Sequence, residues 1–289
     1  MQHIRIISPA KAIEKEHLEN AEKFLRENGY KVSFGKHAFG MNNYFSGTDA
    51  ERLQDVQEAF DDEDVDVILC ARGGYGIVRI IDQIDFTKFL NSNKKLMGYS
   101  DVTVFHNHIF GKYGKETIHS TVPLNFIENT ADSLESLLNA IEGRELNYNL
   151  KAHELNIQGD ISAEVIGGNL SILYSLIGTD SDLDYDDKLL FIEEIGEAIY
   201  AIDRMLYSMK KADKLSKLKG LIVGGLTSVK DSAIPFGKSA EEVIYEHASK
   251  LGIPVCFNFP AGHIPDNRSI IIGREAKLSV NSDEVRFEQ

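Results

Sequence analysis

The sequence predicts an α/β protein: an N-terminal α/β domain built on a parallel sheet, followed by a second, C-terminal α/β domain. Three observations predict it. Short apolar runs of strand length alternate with longer stretches of helical spacing, as in chains of βαβ units. Some of those runs, such as Val67-Ile68-Leu69-Cys70-Ala71 and Leu189-Leu190-Phe191-Ile192, are continuously apolar, as strands covered on both faces are. Between about 129 and 160 the rhythm lapses. The boundaries therefore read as 1–128, a connection over 129–160, and 161–289.

His3–Ala10 reads as a first strand and loop, and 12–28 has helical spacing stopped by Asn28-Gly29. Lys31–Phe34 is a second strand. Thr48 with Glu51 three residues later forms a capping box for a helix running to about Phe60, after which the acidic run 61–64 is a solvated turn. Val65–Ala71 is a third strand, and helical spacing resumes at Ile77, Ile80, Ile81 and Ile84. A strand at 96–98 leads into a helix with Val102, Phe105 and Ile109 on one face; Thr117–Pro123 is a further strand and turn. The connection carries a helix (Leu134, Leu137, Leu138, Ile141). The second half repeats the alternation: a strand at 163–170 and a helix to Gly178, a strand at 188–197 and a helix with Ile202, Met205 and Met209, a strand at 221–226, a helix over 239–251, and a strand at 254–259. From Arg268 onward the residues alternate as a β ribbon.

A net charge of −14 argues against a nucleic-acid partner, which needs clustered Lys and Arg. With 43% hydrophobic and 26% charged residues the composition is that of a soluble globular chain. The two cysteines, Cys70 and Cys256, lie in apolar runs and read as small buried hydrophobes rather than a disulfide or metal pair. No apolar stretch follows a basic N-terminal region and no run reaches membrane-spanning length, so a cytoplasmic protein with no membrane partner is expected.

Two turns carry possible chemistry. Arg72-Gly73-Gly74-Tyr75-Gly76 follows the third strand; glycine lets backbone N–H groups approach an anion closely, and a plain tight turn is the alternative. Neither a dinucleotide fingerprint nor a P-loop is present. Gly98-Tyr99-Ser100-Asp101 places a serine between strand and helix, as a nucleophile elbow does, although Val102 stands where a second glycine belongs. An N-cap serine is the other reading. Both turns fall at carboxyl ends of strands, where parallel sheets carry their working groups.

A serine nucleophile needs a base and a carboxylate behind it. Of nine histidines, His263 is the strongest candidate, being in a Gly/Pro loop after an apolar strand; a turn histidine bonded to backbone is the alternative. His119, at a strand end, is also within conceivable reach. His106 and His108 are expected to point away from Ser100, and His3, His17, His37, His153 and His247 to lie at the surface or strand edges. Glu193 ends a buried strand and suits an orienting carboxylate, with Asp101 second.

Together these pieces resemble the LD-carboxypeptidase family of serine peptidases, which includes the microcin C immunity hydrolases. The likeness rests on Phe45-Ser46-Gly47-Thr48, Arg52-Leu53, Ala71–Gly76, Gly98–Asp101, Gly167–Leu170, Phe191–Glu197, Asp203–Leu206 and Gly262-His263. It implies an active site at the junction of the two domains, with Ser100 as nucleophile, His263 as base and Glu193 as orienter. The adjacent Glu194 is the competing carboxylate. It also implies an oxyanion hole from the N–H groups of Gly74 and Asp101, no metal or cofactor, a homodimer, and cleavage of the amide before a terminal D-amino acid in a murein peptide. Arg72 is the candidate for holding the substrate's carboxylate. Two alternatives stand beside this: a hydrolase of a peptidyl-nucleotide antibiotic, and a non-enzymatic α/β protein binding a small anion.

Overall fold

The alternation of apolar runs and helical stretches resolves into two sheets with helices packed on them. The structure, a computed structural model, describes residues 1–289. The first half runs β1 (His3–Ile7), α1 (Glu19–Glu27), β2 (Lys31–Phe34), α2 (Asp49–Asp61), β3 (Val67–Cys70), α3 (Thr87–Leu90), β4 (Lys95–Gly98), α4 (Thr103–Tyr113) and β5 (Thr117–His119). The chain continues with α5 (Ala131–Glu142), β6 (Asn147–Lys151), β7 (Gly159–Asn169), α6 (Leu170–Leu176), β8 (Leu189–Ile195), α7 (Ile199–Lys211) and β9 (Gly220–Thr227). It ends with α8 (Ala240–Ala248), β10 (Val255–Cys256), β11 (Ile270–Ile272), β12 (Glu275–Val280) and β13 (Glu284–Glu288). No helix is long and apolar enough to cross a membrane.

The first sheet has the order β11-β5-β4-β3-β1-β2, parallel throughout except for β11. Successive side chains on a strand face opposite sides. In β3, Val67 and Leu69 join the core under α1 and α5, while Ile68 and Cys70 join the one under α2 and α4. Both faces are covered, which is why these strands read as continuous apolar runs. Both cysteines are buried and free. The Thr48–Glu51 capping box starts α2 as expected.

The second sheet has the order β10-β9-β8-β7-β12-β13-β6. Strand β7 serves two partners: Gly159–Glu164 pairs antiparallel with β12, and Val165–Asn169 pairs parallel with β8. Its burial follows suit, alternating in the first part and continuous in the second.

The structure departs from the sequence expectations in four places. The helical spacing from Ile77 appears as two 3₁₀ turns, Ile77–Arg79 and Ile81–Gln83; Ile77, Ile80 and Ile81 are buried, but the Ile77 N–H is taken by Asp101. The expected helix over 12–28 is a 3₁₀ turn at Lys15–Leu18 followed by α1. The strand at 270–272 leaves the terminal ribbon and pairs antiparallel with β5 in the first sheet. Three consecutive buried isoleucines suit a site covered on both faces, and only β12 and β13 alternate as a ribbon. The stretch 129–160 contributes to both units, α5 packing under the first sheet and β6 closing the edge of the second.

Candidate active site

Strands β3 and β4 lie side by side, so the turns leaving them meet. Ser100 sits at φ +66°, a left-handed conformation that a serine adopts only when its surroundings hold it there. The surroundings are a glycine on each side. A Cβ on Gly98 would lie 2.9 Å from a Val102 methyl, so Val102 closes on the one glycine of the elbow and no second is needed. A Cβ on Gly73 would lie 2.7 Å from Ser100 Oγ and 3.2 Å from the Asp101 nitrogen, so only glycine lets the Arg72–Gly76 turn close over the elbow. The N–H groups of Gly74 and Asp101 make no backbone hydrogen bond.

Asp101 ties the two turns together. Its buried Oδ2 accepts the Ile77 N–H at 2.9 Å, and burial raises its pKa to about 6. Arg52, fully buried, braces the same turn by donating to the Pro9 and Gly76 carbonyls at 2.6 and 3.0 Å while pairing with Asp49. Sequence reasoning did not single out Arg52 as a bracing group. The signal was present, since Arg52 shares a helix face with Val56, Ala59 and Phe60, where a charged residue is out of place.

His263 comes from the loop after β10 and Glu193 from the end of β8. Nδ1 of His263 lies 2.7 Å from Glu193 Oε2, which also accepts the His263 backbone N–H at 3.3 Å. Glu193 is fully buried. Its neighbour Glu194 points the other way, accepting from the N–H groups of Ser171 (2.7 Å) and Ile195 (2.8 Å) and from Asn169 (3.2 Å), with its pKa raised by burial. Adjacent strand residues face opposite sides, so only one of the pair can meet the imidazole, and it is Glu193.

The His263 ring packs 4.7 Å from that of Tyr99, the residue before Ser100, which sets the loop against the elbow. No hydrogen bond joins Ser100 Oγ to His263; Nδ1 is spent on Glu193, leaving Nε2 without a partner. Beside the imidazole opens a cleft of about 200 Å³ lined by Tyr99, Asn125, Glu128, Ile195, His263 and Pro265. Tyr99 is held by a 2.9 Å bond from its hydroxyl to Asn125. Arg72, half-buried, donates to the Ala12 carbonyl at 3.2 Å and meets no carboxylate.

None of the other histidines lines this cleft. His119 does not join the cleft: it is buried, bonded to Asn267 Oδ1 at 3.1 Å, and burial pushes its pKa down to about 3. Asn267 Oδ1 also accepts the Gly262 N–H at 2.8 Å, so His119 steadies the His263 loop through Asn267, a residue that gave no sequence signal. His106 backs the elbow from below, bonded to the Gly98 carbonyl at 3.0 Å and to Thr117 at 2.8 Å. His3, expected at a surface or strand edge, is buried between Ser33 and the Asp64 carbonyl. No three His, Cys, Asp or Glu side chains converge in a way that could hold a metal ion.

Comparison with known proteins bears on this arrangement. The chain matches the LD-carboxypeptidase N-terminal domain over residues 4–120 and the LD-carboxypeptidase C-terminal domain over residues 162–278. The "Probable murein peptide carboxypeptidase" of Bacillus subtilis (strain 168) is 34% identical, over 97% of this chain and 89% of its own length. The crystal structure of muramoyltetrapeptide carboxypeptidase from Oxalobacter formigenes aligns with a TM-score of 0.90 at 27% identity, covering 99% of this chain and 98% of that one. An MccF-like protein from Bacillus anthracis aligns with a TM-score of 0.86 at 25% identity, covering 99% and 96%.

Proposed function

The chain belongs to the LD-carboxypeptidase family, and from that membership we propose that it is a serine carboxypeptidase that removes the terminal D-amino acid from murein tetrapeptides during peptidoglycan recycling. The observation that carries the reading is the His263–Glu193 pair, 2.7 Å apart, with the imidazole packed against Tyr99, the residue before a serine held at positive φ.

In this reading Ser100 Oγ attacks the carbonyl before the D-residue while His263 Nε2 takes its proton. Glu193 fixes the imidazole tautomer through Nδ1 and stabilises the imidazolium that forms. The N–H groups of Gly74 and Asp101 receive the oxyanion, where a fixed donor is worth about 3 kcal/mol of barrier. His263 then protonates the leaving amine, and water hydrolyses the acyl-enzyme with the same base. Arg72, a half-buried cation without a carboxylate, holds the terminal carboxylate of the substrate. The segment to residue 128 supplies the nucleophile and the segment from 161 supplies Glu193 and His263. The proposal extends to a cytoplasmic homodimer that works without metal or cofactor.

Incubation with murein tri-, tetra- and pentapeptides, followed by identification of the products, tests the reading. D-Alanine released from the tetrapeptide is the expected result. A Ser100→Ala protein that released it at the parental rate would end the proposal, as would failure of a fluorophosphonate to label Ser100. The alternative reading, a hydrolase of a peptidyl-nucleotide antibiotic, would be selected by cleavage of such a compound in preference to the tetrapeptide.

A further inference from the structure

His263 stands on a loop of the second half and Ser100 on the elbow of the first, and no hydrogen bond joins them. Their relative position is therefore set by packing. Glu193 ties the imidazole to its own half of the chain, since it belongs to β8. The elbow meets the imidazole through Tyr99.

Tyr99 has an extended backbone and is 7% exposed, and three side chains hold its ring. The hydroxyl donates to Asn125 Oδ1 at 2.9 Å, and the His119 ring meets it edge-on with centroids 5.8 Å apart. The His263 ring lies at 4.7 Å, tilted by 57°. A ring packed this closely has little freedom to move. Ser100 follows directly at φ +66°, so one planar peptide link locks that surface to the serine.

The contact also has an electrostatic side. A cation within about 6 Å of an aromatic centroid is attracted to the ring, most strongly where water is excluded. The His263 side chain is 14% exposed. An imidazole acting as base becomes a cation.

We propose that Tyr99 is a positioning residue for His263: its ring sets the imidazole against the elbow and stabilises the imidazolium formed when the base takes the Ser100 proton. The inference rests on the serine carboxypeptidase reading and adds a residue to it.

Besides Tyr99, the titratable groups around the imidazole are Glu193 on β8, Glu128 in the cleft and His119 on β5. Burial keeps the Tyr99 phenol protonated and leaves His119, with a pKa of about 3, neutral. Asp101, raised to about 6, titrates in the range typical of histidines, so the imidazole is followed by its own signal.

Tetrapeptide kinetics and an NMR titration of the His263 Cε1–H signal, assigned by its loss in His263→Gln, form the test. The titration uses Ser100→Ala as background and needs no turnover. Tyr99→Leu, apolar but without a ring, is expected to lower kcat by about tenfold or more with KM within about twofold. It should also lower the imidazole pKa by about half a unit or more. Tyr99→Phe keeps the ring and should recover most of the kcat and the whole pKa shift. A Tyr99→Leu protein with parental kcat, or with an imidazole pKa unchanged or raised, overturns the proposal. So does a Tyr99→Phe protein as impaired as Tyr99→Leu, which would give the role to the hydroxyl. If the wild type cleaves no murein peptide, the carboxypeptidase reading falls, and the titration in Ser100→Ala still decides what the ring does to the imidazole.

Discussion

Glu193 Oε2 lies 2.7 Å from His263 Nδ1 across 70 positions of chain, while Glu194, one residue on, turns its back and caps α6. The two neighbours are therefore separable by experiment. Glu193→Gln keeps the volume but removes the charge and offers a donor where an acceptor is needed. It is expected to lower kcat by about 10²–10⁴-fold, as loss of the orienting carboxylate does in serine hydrolases. Glu194→Gln leaves kcat within a few-fold and lowers stability by about 1–3 kcal/mol, since two backbone N–H groups lose a charged acceptor. Steady-state kinetics on the tetrapeptide and urea unfolding of both variants decide the matter; a larger kcat loss in Glu194→Gln would reverse the assignment.

Gly262 makes the pairing possible. It sits at φ +108°, and a Cβ there would lie 2.7 Å from Glu193 Cβ and 2.8 Å from Oε2. Gly262→Ala is expected to displace the carboxylate, lowering kcat at least tenfold, and to cost about 1–3 kcal/mol through backbone strain. Gly237→Ala serves as the control, since it also has positive φ, +82°, but open space around it. That variant should lose stability and keep its kcat. Equal kcat in the two variants would show that displacement of Glu193 does not matter.

Much of this was legible from residues alone. Continuous apolar runs gave the strands, because both faces of a parallel sheet are covered, and the Thr48–Glu51 box gave the start of α2. Ser100, Glu193 and His263 stood out as polar groups directly after apolar strands. The choice between Glu193 and Glu194 was not legible, because both residues are buried and spacing does not say which face meets the loop. The destination of Ile270–Ile272 was hidden for a similar reason: a buried triad fits either sheet, and pairing with β5 is a long-range event. Asn267 was invisible because its role is to bridge His119 and Gly262, which lie 143 positions apart (262 − 119).

Asp101 offers a test of the glycine turn. Its carboxylate is the link from the elbow to the Ile77 N–H. Asp101→Ala leaves that buried donor unpaired, at a cost of about 1–3 kcal/mol, and frees the turn carrying the Gly74 N–H. A fall in kcat of about tenfold or more at little changed KM is expected, because an oxyanion donor acts on the transition state rather than on ground-state binding. Asp101→Asn, whose amide oxygen still accepts from Ile77, should recover most of that kcat. If Asn is as impaired as Ala, the charge rather than the brace is what matters.

Acid sensitivity follows from the buried histidines. Burial lowers the pKa of His106 from 6.5 to about 4 and that of His119 to about 3. As pH falls below about 6.5 the unfolded chain takes up these protons first. The stabilisation is therefore complete above that pH and is lost as pH falls towards the folded values. Asp101 acts in the opposite sense: with its pKa raised from 3.8 to about 6, the folded chain binds that proton first, so its contribution is present at low pH and lost as pH rises through 6. Two histidines outweigh one carboxyl over this window. His106→Gln removes one of the acid-sensitive groups. Urea unfolding at pH 7 and pH 4.5 should then show that the variant loses about 2–3 kcal/mol less than the wild type over that interval. Identical losses in the two proteins would mean that His106 is protonated in the folded chain before it reaches pH 4.5, and that its bond to the Gly98 carbonyl survives as an imidazolium donor.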